Sequence, residues 1–288
     1  MQGNLLVIGA RSLIGRRMRE AVTDWPGEVR FTSRRPLSGQ SLIFDLDHPE
    51  AFDPGMDFAN VVMCSPIWLA SEAVLERLTQ LGMKRLVAFS STSRLTKGTS
   101  SEPAEREVVA QLARGEAAIV DFCTAHGVAY TLLRPTLIYD EGQDENVSQI
   151  ASLIRKLGFF PVCGRASGLR QPVHARELAR AAVQALPAEA AFDRAYNLSG
   201  GEALTYRAMV ERIFIGLGRK PFIVSLPLQV WRFVLVALDW IRPNKTLKRN
   251  INMVARMNVD LWFDHAAATR DFGYAPGPFA PGDFRPAS

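Results

Sequence analysis

Residues 4–15 constrain the fold of this chain more than any other stretch. Asn4-Leu5-Leu6-Val7-Ile8-Gly9 is a short apolar run ending at glycine, and Ala10-Arg11-Ser12-Leu13-Ile14-Gly15 follows directly. A run that is apolar at every position reads as a strand buried on both faces, as in parallel sheets covered by helices. Gly9 suits a tight turn out of that strand, and Gly15 suits close packing of the next helix. The pattern predicts strand, turn and helix in succession, with the helix running from 13 to about 23 and closed by Pro26-Gly27.

The alternation continues. Residues 29–33, 41–45, 60–64, 85–90 and 129–134 read as further strands, and helices are expected over 67–81 and 104–125. Beyond them, helices are expected at 144–158, 174–185, 204–217, 227–241 and 260–271, with a last strand at 194–198 and an extended Pro/Gly-rich tail from 276. Strands alternating with helices imply an α/β fold with a doubly wound parallel sheet of the Rossmann type. The expected organisation is a dinucleotide-binding domain over 1–140, to which 171–199 return. A smaller, mainly helical substrate lobe takes 141–170 and 200–288.

A helix that begins at a glycine turn after a parallel strand directs free N–H groups and a partial positive charge at a pyrophosphate. Gly9, Arg11, Ser12, Leu13, Ile14 and Gly15 are therefore candidate cofactor-binding residues. Ser12 stands where a middle glycine is usual, and its hydroxyl suits either capping the helix or touching phosphate. The end of the second strand reads specificity. An acid there binds a ribose 2′-hydroxyl, whereas arginine binds a 2′-phosphate bidentately. The strand ends Phe31-Thr32-Ser33-Arg34-Arg35, with no acid. NADP(H) is expected over NAD(H), with Arg34 and Arg35 as the discriminating pair.

Composition excludes other classes. The net charge of +5 is scattered along the chain, whereas a nucleic-acid reader concentrates its basic residues on one element. Cys64, Cys123 and Cys163 have no C-x-x-C or Cys/His spacing, so no metal site is expected and a reducing cytoplasm is the simplest compartment. A strand-like run from the fourth residue argues against a signal peptide. Residues 226–241 are apolar around most of a helix, with Lys245, Lys248 and Arg249 close behind. They read as a buried lobe helix or as a peripheral membrane contact through 226–249, for instance toward a lipid-linked substrate.

Several segments together resemble the extended short-chain dehydrogenase/reductase superfamily, in its NAD-dependent epimerase/dehydratase group. Gly9–Gly15 is similar to its G-x-x-G-x-x-G turn. The resemblance implies that Asp45-Leu46 contacts the adenine and that Cys64-Ser65-Pro66 lies at the cofactor contact after strand four. It implies that Phe89-Ser90-Ser91-Thr92 is the strand-five motif, with Ser90 beside the cofactor and Ser91 and Thr92 assisting catalysis. Arg134-Pro135-Thr136-Leu137-Ile138-Tyr139 looks like the segment beside the nicotinamide, and Leu169-Arg170-Gln171-Pro172-Val173-His174 like the stretch whose arginine holds a substrate phosphate.

The family's catalytic Tyr-x-x-x-Lys has no counterpart: none of the five tyrosines is followed four residues later by lysine. Counting from Glu116 along the long helix puts Val108 and Leu112 at the pair's positions, and both are apolar. Their character reads as a packed helix face. Tyr139 and His174, in that order, are the candidates for the missing proton donor. The leading functional reading is an NADP(H)-dependent oxidoreductase or nucleotide-sugar epimerase/dehydratase-like enzyme of atypical type. A non-catalytic NADPH-binding sensor or assembly factor is the alternative. The expected substrate is a small molecule, a nucleotide sugar or a lipid-linked one.

Overall fold

The computed structural model describes residues 3–35, 41–98, 100–231, 233 and 254–282. They fall into two compact units, the first made of Met1–Thr136, Ala175–Leu198 and Asp264–Ala275, the second of Leu137–His174, Ser199–Phe263 and Pro276–Ser288. The return to the first unit thus begins at Ala175 rather than at 171. A second return, Asp264–Ala275, has no sequence signal of its own.

The first unit is built on β1 (Leu5–Ile8), β2 (Val29–Ser33), β3 (Ser41–Ile43), β4 (Asn60–Met63), β5 (Arg85–Phe89), β6 (Ala129–Pro135) and β11 (Arg194–Leu198). They form one sheet in the order β11-β6-β5-β4-β1-β2-β3, and every neighbouring pair is parallel. β1, β4 and β5 are buried at every position, and apart from Asn60 and Arg85, which open β4 and β5, their residues are all apolar. The strand order reverses between β1 and β4, and an open sheet of this kind leaves its crevice there, at the carboxyl ends of the strands.

Helix α1 (Leu13–Ala21) opens at Ser12, whose Oγ accepts from the Gly15 N–H at 3.0 Å. The helix expected over 67–81 is divided. Ile67–Leu69 form a single 3₁₀ turn, and α2 (Glu72–Gln80) starts afresh at Ser71, whose hydroxyl accepts from the Val74 N–H. Pro66 and the Ser71 cap explain the break. Between β5 and the long helix lies the single turn α3 (Ser93–Thr96). The long helix α4 (Pro103–His126) has Pro103 in its first turn and ends on Gly127 at φ +65. Its inner face packs Leu112, Ile119 and Phe122 into the core of β1, β4 and β5. The first unit buries charged side chains too, Arg85 and Glu116 among them. Arg85 donates to the carbonyls of Ala185 and Leu186 at the end of α6 (Ala175–Ala185) and to Thr131 Oγ1, and lies over the Phe192 ring. Burial lowers its pKa to about 10, so it remains a cation at neutral pH.

Among its described residues the second unit holds more strand than the sequence implies. It holds α5 (Val147–Leu157) and α7 (Tyr206–Gly216) beside three two-stranded ladders. These are β7 (Ile138–Tyr139) with β10 (Val173–His174), β8 (Phe160–Cys163) with β13 (Ile223–Leu226), and β9 (Leu169–Arg170) with β12 (Leu204–Thr205). Val147, Ile154, Val162, Met209, Ile213 and Phe279 form its core. The helix expected over 260–271 is shorter: α8 (Ala266–Phe272) starts where Asp264 accepts from the Ala266 N–H, and Leu261 instead donates to the Leu169 carbonyl. Of the segment 226–249, only 226–231 and 233 are described, so the helix expected at 227–241 lies largely outside the described residues. Among the described residues no helix is long and apolar enough to cross a membrane.

Candidate functional site

Gly9 sits at φ +86, and a Cβ there would lie 2.6 Å from the Ser65 N and 3.0 Å from the Cys64 carbonyl carbon. The turn after β1 is thus pressed against the turn after β4, and only glycine fits both the dihedral and the space. Gly15 does the same for the helix: its Cβ would stand 2.1 Å from the Gly9 carbonyl oxygen. The Gly9 and Ala10 N–H groups donate to the Thr32 carbonyl, which ties the turn to the end of β2. Ser12 caps α1, so its hydroxyl has the first of the two roles expected of it. The N–H groups of Leu13 and Ile14 lie in the first helical turn, where no intrahelical acceptor exists.

Around this turn the first unit has a cavity of about 600 Å³. Gly9 and Arg11 line it from the turn, Arg34 and Arg35 from the end of β2, Asp45 and Leu46 from the end of β3, and Ser65 and Pro66 from the end of β4. Three strands and the glycine turn therefore bring eight of the sequence candidates to one hollow. The Ser65 Oγ is buried with no hydrogen-bond partner among the described residues. Phe44 lines the hollow and stacks on Phe52, with ring centroids 4.1 Å apart. Asp45 accepts from the Asp47 N–H at 3.2 Å, an Asx turn that shapes the edge. Cys64 does not line the cavity. Its backbone N–H donates to the Ile8 carbonyl, and burial pushes its thiol well above the usual range.

The strand-five motif is directed elsewhere than expected. Ser90 Oγ donates to Glu116 Oε1 at 2.5 Å, away from the cavity, and its N–H donates to the Leu133 carbonyl. Glu116 also receives Arg134, Nε to Oε1 at 2.9 Å and Nη2 to Oε2 at 2.6 Å. Arg94 Nε stands 3.2 Å from Oε2, close enough to pair but misaligned for a hydrogen bond. Burial alone would raise the Glu116 carboxyl; Arg134 and Ser90 outweigh it and hold the group below its ordinary value. Glu116 serves in the sequence only to set the register of the long helix. That it is a buried acid on which three side chains converge shows only once Ser90, Arg134 and Arg94 are placed around it.

Ser91 Oγ accepts from the Ser93 N–H, which leaves its own hydrogen to donate. Thr92 is buried and donates to the Pro135 carbonyl at 3.1 Å. Pro135 and Thr136 serve the backbone, the first accepting from the Thr92 N–H as well, the second donating to the Leu198 carbonyl. On α4, Leu112 is 4% exposed whereas Val108 is 41% exposed, so the two positions do not share a packed face.

In the second unit Tyr139 and His174 are register partners of the β7–β10 ladder, with rings edge to face and centroids 5.0 Å apart. Tyr139 is buried, its other side against the Phe279 ring at 4.9 Å. His174 Nε2 lies 3.0 Å from Glu141 Oε2 and 3.9 Å from Asp140 Oδ1. Burial raises the Glu141 carboxyl, but His174 and the N–H groups of Glu141 and Gly282 bring it down to about 2. These three side chains place ligand-type atoms within 4.8 Å of one another. The direct His174–Glu141 contact, which a cation between them would have to replace, marks the group as a hydrogen-bonded network.

Arg170 is buried. Its guanidinium donates to the carbonyls of Leu169, Val259 and Arg256 at 2.6–2.8 Å and faces the Tyr206 ring. Three carbonyl partners leave little for the phosphate that the family resemblance assigns to it. This arginine holds residues 256–259 against β9.

Residues 67–199 match the NAD dependent epimerase/dehydratase family model. No curated protein sequence matches the chain. Among solved structures, MoeE5 in complex with UDP-glucuronic acid and NAD is 18% identical, with a TM-score of 0.71 over 98% of this chain and 96% of that one. The UDP-N-acetylglucosamine 4-epimerase of Bacillus cereus is 13% identical, with a TM-score of 0.71 over 98% and 94%. The UDP-glucose 4-epimerase of Thermotoga maritima is 16% identical, with a TM-score of 0.70 over 95% and 93%. The fold of this chain is the fold of these three proteins, and its residues 67–199 resemble the epimerase/dehydratase family in sequence.

Proposed function

We propose that the chain binds NADP(H) at the carboxyl edge of the seven-stranded sheet and acts with it as an oxidoreductase or epimerase/dehydratase on a nucleotide-sugar-like small molecule. The observation that carries this reading is the hollow after β1, β2, β3 and β4, with Arg11, Arg34 and Arg35 on its wall. The residues fit a dinucleotide. Ser65 offers a buried hydroxyl without a partner among the described residues, and Gly9 and Gly15 leave no room for side chains at the turn. Leu13 and Ile14 present helix N–H groups to a pyrophosphate. Arg34 and Arg35 supply bidentate donors for a 2′-phosphate. The structural neighbours named above include one solved with NAD, MoeE5, which supports dinucleotide binding in general; the arginines support the phosphorylated form for this chain.

Bound there, the cofactor supplies a carbon that takes or gives a hydride. The protein's part is orientation and proton transfer. Ser91, at the carboxyl end of β5, keeps a hydroxyl hydrogen to donate to a substrate oxygen. Of the two proton-donor candidates, His174 is favoured over Tyr139. The tyrosine is enclosed between two rings, whereas the imidazole is partly exposed and held by a carboxylate. Calorimetric titration with NADPH and NADH tests the cofactor, and equal affinity or preference for NADH overturns it. Conversion of UDP-hexoses, UDP-N-acetylhexosamines and UDP-hexuronic acids, followed by chromatography alongside net NADP(H) oxidation or reduction, tests the chemistry, since an epimerase or dehydratase regenerates its cofactor.

Binding without turnover, as in a sensor or assembly factor, is favoured by one observation. Val108 and Leu112 leave α4 with no acid–base group where the family places its catalytic pair. Tight NADPH binding with no turnover across the panel would move the assignment to that reading.

A further inference from the structure

The second unit carries an apolar surface ringed by cations. Leu153 and Leu157 are exposed one turn apart on α5. Phe222, 60% exposed, stands beside Phe159 with ring centroids 6.0 Å apart. The two pieces are fastened together. Phe160 donates to the Phe222 carbonyl, and Arg219 Nη1 donates to the carbonyls of Ile154 and Arg155 at the end of α5. Arg155, Lys156, Arg219 and Lys220 are exposed at this same edge. No Asp or Glu occurs in residues 147–176 or 212–238. The chain then leads on to Val230 and to Phe233, which is 75% exposed.

We infer that this surface docks the protein on an anionic lipid bilayer, with the aromatic and leucine side chains at the headgroup boundary and the four cations among the phosphates. A soluble partner of matched apolar shape would need no ring of one charge. Exposed Phe and Leu flanked by Arg and Lys, with no acid in the two segments that carry them, is the composition that partitions into an anionic interface. Interfacial docking also needs no membrane-crossing helix, and none is present among the described residues.

The full chain is mixed with phosphatidylcholine vesicles, with and without about a third phosphatidylglycerol, and sedimented. Binding is expected to the anionic vesicles and to fall steeply between low and high salt. Each cation removed costs about fivefold in partitioning, so Lys156→Glu with Lys220→Glu reduces it at least tenfold. Phe222→Ser also reduces it, and Phe222→Trp restores it. Thermal melting within a few degrees of the parent shows that the variants are folded, since these side chains are exposed. Equal recovery with neutral and anionic vesicles, or unaltered binding by both the charge-reversed and Phe222→Ser variants, overturns the proposal. A self-association that Phe222→Ser abolishes, without vesicle binding, assigns the surface to a second copy of the chain and also overturns it.

Discussion

Arg134 engages both carboxylate oxygens of Glu116, at 2.9 and 2.6 Å, inside the first unit where Glu116 is almost fully buried. A two-point contact between planar groups at this depth holds β6 against α4. Removing one partner strands the other. Glu116→Leu is expected to cost about 3–5 kcal/mol in urea unfolding. Combining it with Arg134→Met should recover a substantial part of that loss, because the better-buried of the two arginines is then no longer left without its carboxylate, while Arg94 is partly exposed to water. A double variant as unstable as the sum of the two singles would show that the pair is not coupled.

The glycine turn gives a sharper test. Gly15→Ala puts a methyl 2.1 Å from the Gly9 carbonyl oxygen, where backbone rather than a flexible side chain must move. Gly127 has nothing within 4 Å of its Cβ position and carries only the strain of φ +65. Gly127→Ala is expected to cost about 1 kcal/mol, and Gly15→Ala clearly more, about 2–4 kcal/mol. Melting temperatures of the two variants, compared side by side, decide between a turn set by packing and one set by conformation alone.

Arg34→Ala combined with Arg35→Ala should reduce NADPH affinity by on the order of 10- to 100-fold, equivalent to ~1.5–3 kcal/mol for a charge-assisted contact. NADH affinity should stay within about twofold, because NADH has no phosphate at that position. Parallel losses for both cofactors in a calorimetric titration would mean that the arginines serve the pyrophosphate or the fold instead.

Glu141 makes stability depend on pH in acid. Its folded pKa of about 2 lies below the unfolded value near 4.5. A depressed carboxylate contributes fully above the unfolded pKa and loses that contribution as pH falls through the folded one. The wild type should therefore lose on the order of 3 kcal/mol between about pH 4.5 and 2 from this group. Glu141→Gln should flatten that portion of the curve. An unchanged slope in denaturation curves collected across the window would contradict the His174–Glu141 contact as its source.

The two α4 positions should respond differently to installing the family's pair. Val108→Tyr is expected to stay within about 1 kcal/mol of the parent, since the site is half open to solvent. Leu112→Lys would bury an ammonium without a partner in the core of β1, β4 and β5, costing several kcal/mol. Equal tolerance of both changes in thermal unfolding would show that α4 is packed otherwise.

The parallel sheet was legible because its evidence is local. Leu5–Ile8, Asn60–Met63 and Arg85–Phe89 are nearly continuous apolar runs, and such runs require helices on both faces. The glycine turn and the arginines after β2 were legible for a related reason, as backbone conformation and charge at strand ends are short-range properties. What the chain alone could not place were side chains whose partners lie far along it. Ser90 reads as a cofactor neighbour until Glu116, 26 residues on, takes its hydroxyl. Arg170 reads as a phosphate clamp until the Val259 carbonyl, 89 residues on, takes its guanidinium. The sequence therefore determined the strands, the turn and the charge at the sheet's edge. Only the tertiary structure decided which polar groups remain for a ligand, because a buried donor or acceptor takes the nearest partner in space, and sequence spacing does not record that distance.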